Sequence, residues 1–162
     1  MKRNPYLNYT RLPMENAYNV RELGGYATKK GSVTIHHQFL RSENLTDITE
    51  EDKTFLIEYG LSGIIDLRRE EALIYPNPFR GNNAVKYINC PLITDGILDL
   101  RAVKEVGFDP GEFYVKLVEY KEMLYKIFHF ILDNIDGCLL FHCQAGKDRT
   151  GVLAMILMGL AG

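Results

Sequence analysis

Residues 138–153 read CLLFHCQAGKDRTGVL, and the rest of the chain is organised around this stretch. The apolar run at its start predicts a buried strand, and the apolar run from Val152 onward predicts a helix. Between them lies a small polar loop that contains Gly146. Cys143 stands at one end of this loop and Arg149 at the other, with five residues between them. The sequence therefore predicts a strand–loop–helix unit that holds a reactive side chain.

This loop combines a nucleophile with a site for an anion. In a strand–loop–helix unit the backbone N–H groups turn inward and the helix N-terminus points into the concavity, so both favour a bound anion. The same field is expected to lower the pKa of Cys143 below the value of about 8.5 that is usual for a thiol. Arg149 can hold two oxyanion atoms at once, because its guanidinium group is planar and forked. Thr150 can offer its hydroxyl group to the sulfur as the sulfur leaves.

The string from His142 and Cys143 to Arg149 and Thr150 resembles the phosphate-binding loop of cysteine-dependent protein tyrosine phosphatases. The longer string HCQAGKDRTG resembles a bacterial branch of that family, whose members include dual-specificity and lipid-type enzymes. Three further blocks resemble the same branch in the same order: NVRELGGY at 19–26, LRSENL at 40–45 and IDLR at 65–68. The resemblance therefore covers nearly the whole chain.

This resemblance implies a single phosphatase-like α/β domain over residues 1–162, without the C-terminal helices that are usual in the family. The implied activity is phosphomonoester hydrolysis through a phosphocysteine intermediate, without a metal or other cofactor. Phosphotyrosine in proteins is the favoured substrate. Phosphoinositides are an alternative, as is a weakly active module that binds phosphorylated ligands. A sulfur-transfer or arsenate-reducing enzyme also stays open, because such enzymes can use a cysteine in an anion loop.

The resemblance also assigns roles within the loop. Cys143 is the expected nucleophile, and the phosphate-binding residues are Gln144, Ala145, Gly146, Lys147, Asp148 and Arg149. A carboxylic acid must protonate the leaving group. Asp148 ranks first for this role, Asp66 second, and a residue of the 95–109 segment third, where Asp95, Asp99 and Asp109 are the candidates.

Four further residues are expected to support the site. In the family that the chain resembles, the histidine equivalent to His142 orders the loop through hydrogen bonds and tunes the thiolate. Arg21, Arg41 and Arg68 belong to the three resembling blocks and can pair with carboxylates or hold the loop. Each is equally well read as a solvated surface residue. Lys147 resembles the loop lysine of phosphoinositide phosphatases, which meets a second phosphate.

The composition sets limits on location and partners. The chain has 162 residues and a net charge of −2, so no basic surplus indicates nucleic-acid binding. Its three cysteines are an odd number, which argues against a disulfide framework and favours a reducing cytoplasm. The apolar run 152–162 is shorter than the roughly 20 residues that span a membrane. A second copy of the chain is expected to cover this run in a homodimer, or the chain is a fragment.

Local signals place the other elements. Lys29-Lys30-Gly31 predicts a hairpin turn, followed by a strand-forming run over residues 32–36 that Phe39 and Leu40 continue toward Arg41. Thr49 predicts a helix start and Gly60 its end, with a short strand at 64–65 and another over 85–90. A helix is predicted from Asp109-Pro110 to about Asn134, after an unpatterned loop at 94–108 that could cover a site. This alternation predicts a partly parallel sheet flanked by helices, with the cysteine loop at the carboxyl end of a central strand.

Overall fold

The computed structural model describes residues 10–74, 76–92 and 110–162. The predicted loop at 94–108 and the acid candidates Asp95, Asp99 and Asp109 lie outside these ranges. The strands are β1 Arg21–Glu22, β2 Phe39–Ser42, β3 Leu61–Asp66, β4 Lys86–Asn89 and β5 Cys138–His142. The helices are α1 Glu50–Glu58, α2 Pro110–Glu119, α3 Lys121–Asp133 and α4 Asp148–Ala161, with a 3₁₀ helix at Glu70–Ile74.

The five strands form one sheet in the order β1-β2-β5-β3-β4. Strands β2, β5, β3 and β4 run parallel to one another, and β1 pairs with β2 in the antiparallel sense. Strand β5 is central, because Leu140 pairs with Leu40 of β2 on one side and with Ile64 of β3 on the other. The prediction of a partly parallel α/β sheet is confirmed, and the cysteine loop follows its central strand.

Strand β5 is buried at every position, as expected for a central parallel strand covered on both faces. Its side chains alternate between two apolar clusters because successive residues of a strand point to opposite faces. Leu139 and Phe141 join the cluster that contains residues of α3 and α4. Leu140 joins the other cluster, together with Leu56 of α1. The sheet is thus the middle layer between α1 on one face and α3 with α4 on the other.

Helix α1 forms where the sequence predicts it. The Thr49 hydroxyl accepts a hydrogen bond from the Asp52 N–H at 3.0 Å, and the Asp52 carboxylate accepts from the Thr49 N–H, so a capping box closes the helix start. At the other end the chain reverses at Gly60, whose φ of 104° lies in the region that favours glycine. The confirmed helix leads directly into β3.

The strand predicted over residues 32–36 is wrong, whereas its continuation at Phe39 and Leu40 is confirmed as β2 and the turn before it is confirmed too. Gly31 has φ 80°, and its N–H donates to the Thr28 carbonyl at 3.1 Å, which closes the turn. Beyond it only Val33 makes a bridge, to Ala27. Both Val33 and Ile35 are exposed. Strand-forming residues are therefore present, but the tertiary structure does not extend the sheet along this segment.

The single helix predicted from residue 110 to about residue 134 is two helices. The chain leaves helical geometry at Tyr120, where ψ is 68°, and α3 then runs to Asp133 with Asn134 as its C-cap. The apolar spacing continues across the break because Leu117 of α2 and Ile127 of α3 are buried in the same cluster. The helical spacing of apolar residues predicted which residues face the core, but it did not predict the break in the backbone.

Helix α4 packs one side against its own chain. Val152, Leu153 and Leu157 are buried beside the sheet, whereas Met155 and Leu160 are exposed. Over the described ranges, we find no helix that is both long and apolar enough to cross a bilayer. The start of α4 lies where β5 ends, so its N-terminus faces the loop between them.

Candidate active site

The loop between β5 and α4 contains residues 143–147. Cys143 immediately follows β5 and its side chain is only 3% exposed. Helix α4 begins at Asp148, and its N-cap residue Lys147 makes no side-chain capping hydrogen bond. The amides of the first turn are therefore not capped by that side chain, which keeps the positive end of the helix available to an anion in the loop.

Donors from outside hold the carbonyl groups of this loop. The Asn44 N–H donates to the Gln144 carbonyl at 3.0 Å, and the Asn19 side-chain amide donates to the Ala145 carbonyl at 3.1 Å. Glu43 holds Asn19 in place, because its carboxylate accepts the Asn19 N–H at 2.9 Å. With these carbonyl oxygens pulled outward, the adjoining N–H groups are turned toward the concavity.

Arg41 completes the outer support of the loop. Its Nη2 donates to the Gly146 carbonyl at 2.7 Å, from β2 across to the loop after β5. Burial lowers the pKa of Arg41 from its ordinary value, and the nearby positive charge of Arg21 lowers it further, while the negative charge of Cys143 opposes both. The pairing of Arg41 with the loop was expected. Arg21 is exposed on β1, where it lies opposite Arg41 in the antiparallel pairing with β2, and its positive charge acts on Arg41.

Gly146 is required by the shape of the loop. Its φ is 66°, in the left-handed region. A Cβ atom at this position would lie 2.6 Å from the Ser42 carbonyl carbon and oxygen and 2.6 Å from the Glu43 nitrogen. These are backbone atoms, which cannot rotate away. The loop therefore rests directly on the chain that follows β2.

Cys143 is set apart by the groups that face its sulfur. Burial alone would raise the pKa of Cys143, but the Thr150 hydroxyl and N–H, the positive charge of Arg149 and the Gly146 N–H outweigh burial and lower it. The Thr150 hydroxyl has no nitrogen or oxygen partner within the described part of the chain, and the group it acts on is this sulfur. Cys143 is thus favoured as a thiolate.

The pKa values of the other two cysteines are shifted in the opposite direction, upward. Burial raises the pKa of Cys90 to about 11 and that of Cys138 to about 12, so both stay neutral thiols at ordinary pH. Both are buried in the apolar clusters, as expected for core residues. The chain therefore has one cysteine, Cys143, whose surroundings favour the nucleophilic form.

Arg149 stands one residue into α4 and is partly exposed. Its Nη1 donates to the Leu67 carbonyl at 3.1 Å, and this bond ties the guanidinium group to the chain just after β3. The positive charge of Arg149 also lowers the pKa of Cys143, so the guanidinium group lies close enough to act on the sulfur. A planar, forked guanidinium group can hold two oxygen atoms of an oxyanion at once.

His142 is fully buried behind the loop, and its partners define its tautomer. Nδ1 lies 3.1 Å from the Cys143 carbonyl, which can only accept, so Nδ1 carries the proton. Nε2 lies 3.0 Å from the Asn77 side-chain nitrogen and accepts from it. Asn77 cannot turn over, because its oxygen accepts the Phe79 N–H at 3.0 Å. Burial lowers the pKa of His142, so the ring is neutral.

Asp66 and Arg68 form a buried ion pair at the carboxyl end of β3. Arg68 Nη2 lies 2.8 Å from Asp66 Oδ2, and Nε also contacts the carboxylate. The Tyr87 hydroxyl donates to the same carboxylate at 2.9 Å, and Arg68 Nη1 donates to the Asn44 side chain at 3.0 Å. Burial would raise the pKa of Asp66, but the hydrogen bonds and the positive charge of Arg68 outweigh burial and lower it. The pair links β3 to Asn44, which holds the loop.

Asp148, by contrast, is partly exposed at the first position of α4. Its Oδ1 accepts a hydrogen bond from the Tyr114 hydroxyl of α2 at 2.6 Å. The neighbouring Lys147 and the loop residues Gln144 and Ala145 are exposed as well. Of the two described acid candidates, only Asp148 can therefore meet solvent or a ligand.

Sequence reasoning missed the residues that hold the site from a distance. Asn19 and Asn44 lie inside the resembling blocks, which was a usable signal for both. Asn77 lies directly before Pro78, and nothing local distinguishes it from a turn asparagine. Tyr114 lies within the helix predicted from Asp109-Pro110, and nothing in the local pattern marks it as a site residue. In the described ranges, no three histidine, cysteine or carboxylate side chains cluster as a metal ion would need.

An α/β sheet with a low-pKa cysteine in an anion-binding loop at the carboxyl end of its central strand defines a class of cysteine-based phosphate-loop domains. Residues 12–162 match the model of the tyrosine phosphatase family, and the chain belongs to this family. The chain is 34% identical over 127 residues to a protein of Nostoc commune named "Tyrosine-protein phosphatase". It is 25% identical over 158 residues to a protein of Cupriavidus necator named "Putative tyrosine-protein phosphatase".

These alignments cover most of the chain but much less of the relatives. The first covers 76% of the chain and 43% of the Nostoc protein, and the second covers 93% of the chain and 58% of the Cupriavidus protein. The chain therefore corresponds to about half the length of each relative. The resemblance stated from the sequence is confirmed at the level of the family.

Proposed function

We propose that this chain hydrolyses phosphomonoesters, with phosphotyrosine in proteins as the substrate, through a phosphocysteine intermediate. One observation carries the proposal: the pKa of Cys143 is lowered, against its burial, by Thr150, Arg149 and the Gly146 N–H. A thiolate in an anion-binding loop unites a nucleophile and an oxyanion site. Membership of the tyrosine phosphatase family and the names of the two relatives support the same reaction.

In the first step the Cys143 thiolate attacks phosphorus while the bond from phosphorus to the ester oxygen breaks. Inward-facing loop amides and Arg149 hold the other phosphoryl oxygens as their charge redistributes. An aspartic acid gives its proton to the departing oxygen. The alcohol or phenol leaves, and the phosphoryl group stays on the sulfur.

In the second step water attacks the phosphocysteine. The aspartate formed in the first step takes a proton from this water, inorganic phosphate forms, and the bond from sulfur to phosphorus breaks. The Thr150 hydroxyl stabilises the sulfur as its negative charge returns, since it faces the sulfur and has no nitrogen or oxygen partner in the described residues. The enzyme returns to its starting protonation state without a redox step.

Asp148 is the preferred acid. It lies at the loop and is partly exposed, so a substrate oxygen can reach it. Asp66 is completely buried, and its carboxylate is held by Arg68 and Tyr87. These bonds support the ionised form, and they suit Asp66 to a structural role behind the loop. We propose the same kind of role for Arg68 and His142, and Arg41 supports the loop from β2.

Phosphoinositides are the second candidate, favoured by one observation. Lys147 is exposed at the rim of the loop, next to Asp148, where it could meet a second phosphate group. A panel of phosphotyrosyl, phosphoseryl and phosphothreonyl peptides together with phosphoinositides decides between the substrate classes. A Lys147→Met variant that loses activity only toward substrates with several phosphates would assign the lipid class. The homodimer expected through α4 stays a prediction, which light scattering tests.

The proposed reaction is tested with a Cys143→Ser variant and an aryl phosphate. We expect hydrolysis to fall below detection while vanadate or phosphate still binds. A Cys90→Ala variant is the matched control, because Cys90 is buried and its raised pKa keeps it a neutral thiol. Trapping the wild-type enzyme by rapid acid quench should yield phosphate bound to Cys143. Full activity of Cys143→Ser, or a strict need for added metal, would refute the proposal.

A further inference from the structure

The contact between Tyr114 and Asp148 joins two helices at the candidate site. Tyr114 lies on α2 and Asp148 opens α4, and the Tyr114 hydroxyl donates to Asp148 Oδ1 at 2.6 Å. The two residues are 34 positions apart in the chain, so the bond depends on the packing of α2 against α4. The reaction as proposed uses Asp148 and does not use Tyr114.

Burial of apolar surface does not explain the position of the Tyr114 ring. The residue is 40% exposed, whereas its helix neighbours Phe113 and Leu117 pack in the core cluster. Phe113 meets the Tyr114 ring edge-on, with the ring centres 5.4 Å apart. The hydrogen bond to Asp148 is therefore the main polar contact that the structure shows for this side chain.

We infer that Tyr114 is a positioning residue that holds the Asp148 carboxylate by Oδ1 and leaves Oδ2 to transfer the proton. This inference rests on the proposed role of Asp148 as the acid. A hydroxyl that donates to Oδ1 uses its only proton in that bond, so a neutral Asp148 carries its own proton on Oδ2. Holding one oxygen also restricts rotation of the carboxyl group, which keeps Oδ2 in one orientation while the substrate binds.

The proton balance is simple. In the first step the proton moves from Asp148 Oδ2 to the ester oxygen as the bond to phosphorus breaks. In the second step Oδ2 takes a proton from the attacking water as the bond from phosphorus to sulfur breaks. Tyr114 keeps its own proton throughout. In agreement, its hydrogen bond to Asp148 raises the pKa of Tyr114, with smaller contributions from burial and from the Asp148 charge.

The test is a Tyr114→Phe variant assayed on aryl phosphates whose phenols differ in acidity. A poorly acidic phenol needs its leaving oxygen protonated, whereas a strongly acidic phenol leaves without help. We expect kcat/KM to fall about tenfold or more for the least acidic phenols, a part of the roughly 10²–10⁴-fold that a general acid contributes. For the most acidic phenols the change should be small. The dependence of kcat/KM on phenol acidity thus becomes steeper.

Two further variants separate the possible results. Tyr125→Phe is the matched control, because Tyr125 is an exposed tyrosine on α3 that contacts His129. Its kcat/KM should depend on phenol acidity in the same way as that of the wild type. In an Asp148→Asn background, Tyr114→Phe should add nothing, since both changes remove one function. Thermal unfolding of each variant shows that the fold is kept.

Each contrary result has its own meaning. If Asp148→Asn steepens the dependence and Tyr114→Phe does not, the positioning role is overturned while the proposed function stands. If Tyr114→Phe lowers kcat/KM equally for every phenol, and does so in the Asp148→Asn background too, its role is structural and the inference fails. If Asp148→Asn leaves the dependence unchanged, Asp148 is not the acid, and the proposed acid and the inference fall together.

Discussion

Replacing Gly146 by alanine perturbs the site in two separable ways. The residue has φ 66°, and an alanine in this left-handed region costs about 1–2 kcal/mol. The new Cβ atom would also lie 2.6 Å from backbone atoms of Ser42 and Glu43. Forcing an extra methyl group into a packed position costs about 1–3 kcal/mol. We therefore expect Gly146→Ala to lower the free energy of unfolding by about 2–5 kcal/mol.

Relief of this clash must move the loop, because the contacted atoms belong to the backbone. The loop carries Cys143 and its amides, and a displacement of about 1 Å in such a site costs about 10²-fold in rate. We expect kcat/KM on an aryl phosphate to fall by at least that factor. Urea unfolding followed by circular dichroism measures the stability, and steady-state hydrolysis measures the activity.

Gly81→Ala is the matched control for the backbone term. Gly81 has φ 84°, but nothing lies within 4 Å of the place where its Cβ atom would stand. This variant should lose about 1–2 kcal/mol of stability and keep its activity. Gly159→Ala in α4 also has open space and should be neutral or more stable, by up to about 1 kcal/mol. The reasoning is refuted if Gly146→Ala is as stable and as active as Gly81→Ala.

Three further changes test the surroundings of the loop. Thr150→Val removes the hydroxyl that lowers the pKa of Cys143, so alkylation of this thiol by iodoacetamide should shift to higher pH; an unshifted profile contradicts the assignment. Asn77→Ala leaves a buried imidazole nitrogen without its donor, which should cost about 1–3 kcal/mol in the free energy of unfolding measured with urea. Asp66→Asn removes the carboxylate of a buried ion pair with Arg68 and should cost about 3–5 kcal/mol at pH 7. Because the folded pKa of Asp66 is lowered, its contribution is present above the unfolded pKa of about 3.9 and is lost as pH falls through the folded value, so the variant and the wild type should converge in stability in acid.

Local patterns predicted much of the fold. The capping residues around α1, the apolar run of β5 and the turn at residues 29–31 act over a few neighbouring positions, and the structure contains all three. Prediction failed where tertiary packing decides. Residues 32–36 have strand-forming side chains, but they form only an isolated bridge at Val33 and do not join the sheet. The helix predicted across Tyr120 is interrupted, although both halves face one core.

The candidate site divides in the same way. The loop from Cys143 to Arg149 is continuous in sequence, so the candidate nucleophile and the expected anion-binding character could be predicted directly. The hydrogen bonds that support this loop could not be predicted from the sequence, because Asn19 and Ala145 are 126 positions apart and Arg41 and Gly146 are 105 positions apart. Such contacts exist only once β2 and β5 are paired.

Residues within a short span, or their order along the chain, were enough to predict the strand–loop–helix unit, the candidate nucleophile Cys143 and the family. Contacts that form only in the folded chain set which charges are buried together, which tautomer His142 adopts and which acid candidate is exposed. Burial and hydrogen-bond partners set the protonation of Asp66 and His142, whereas Asp148 stays at the surface. The burial and the hydrogen bonds both result from packing between segments that lie far apart in the chain.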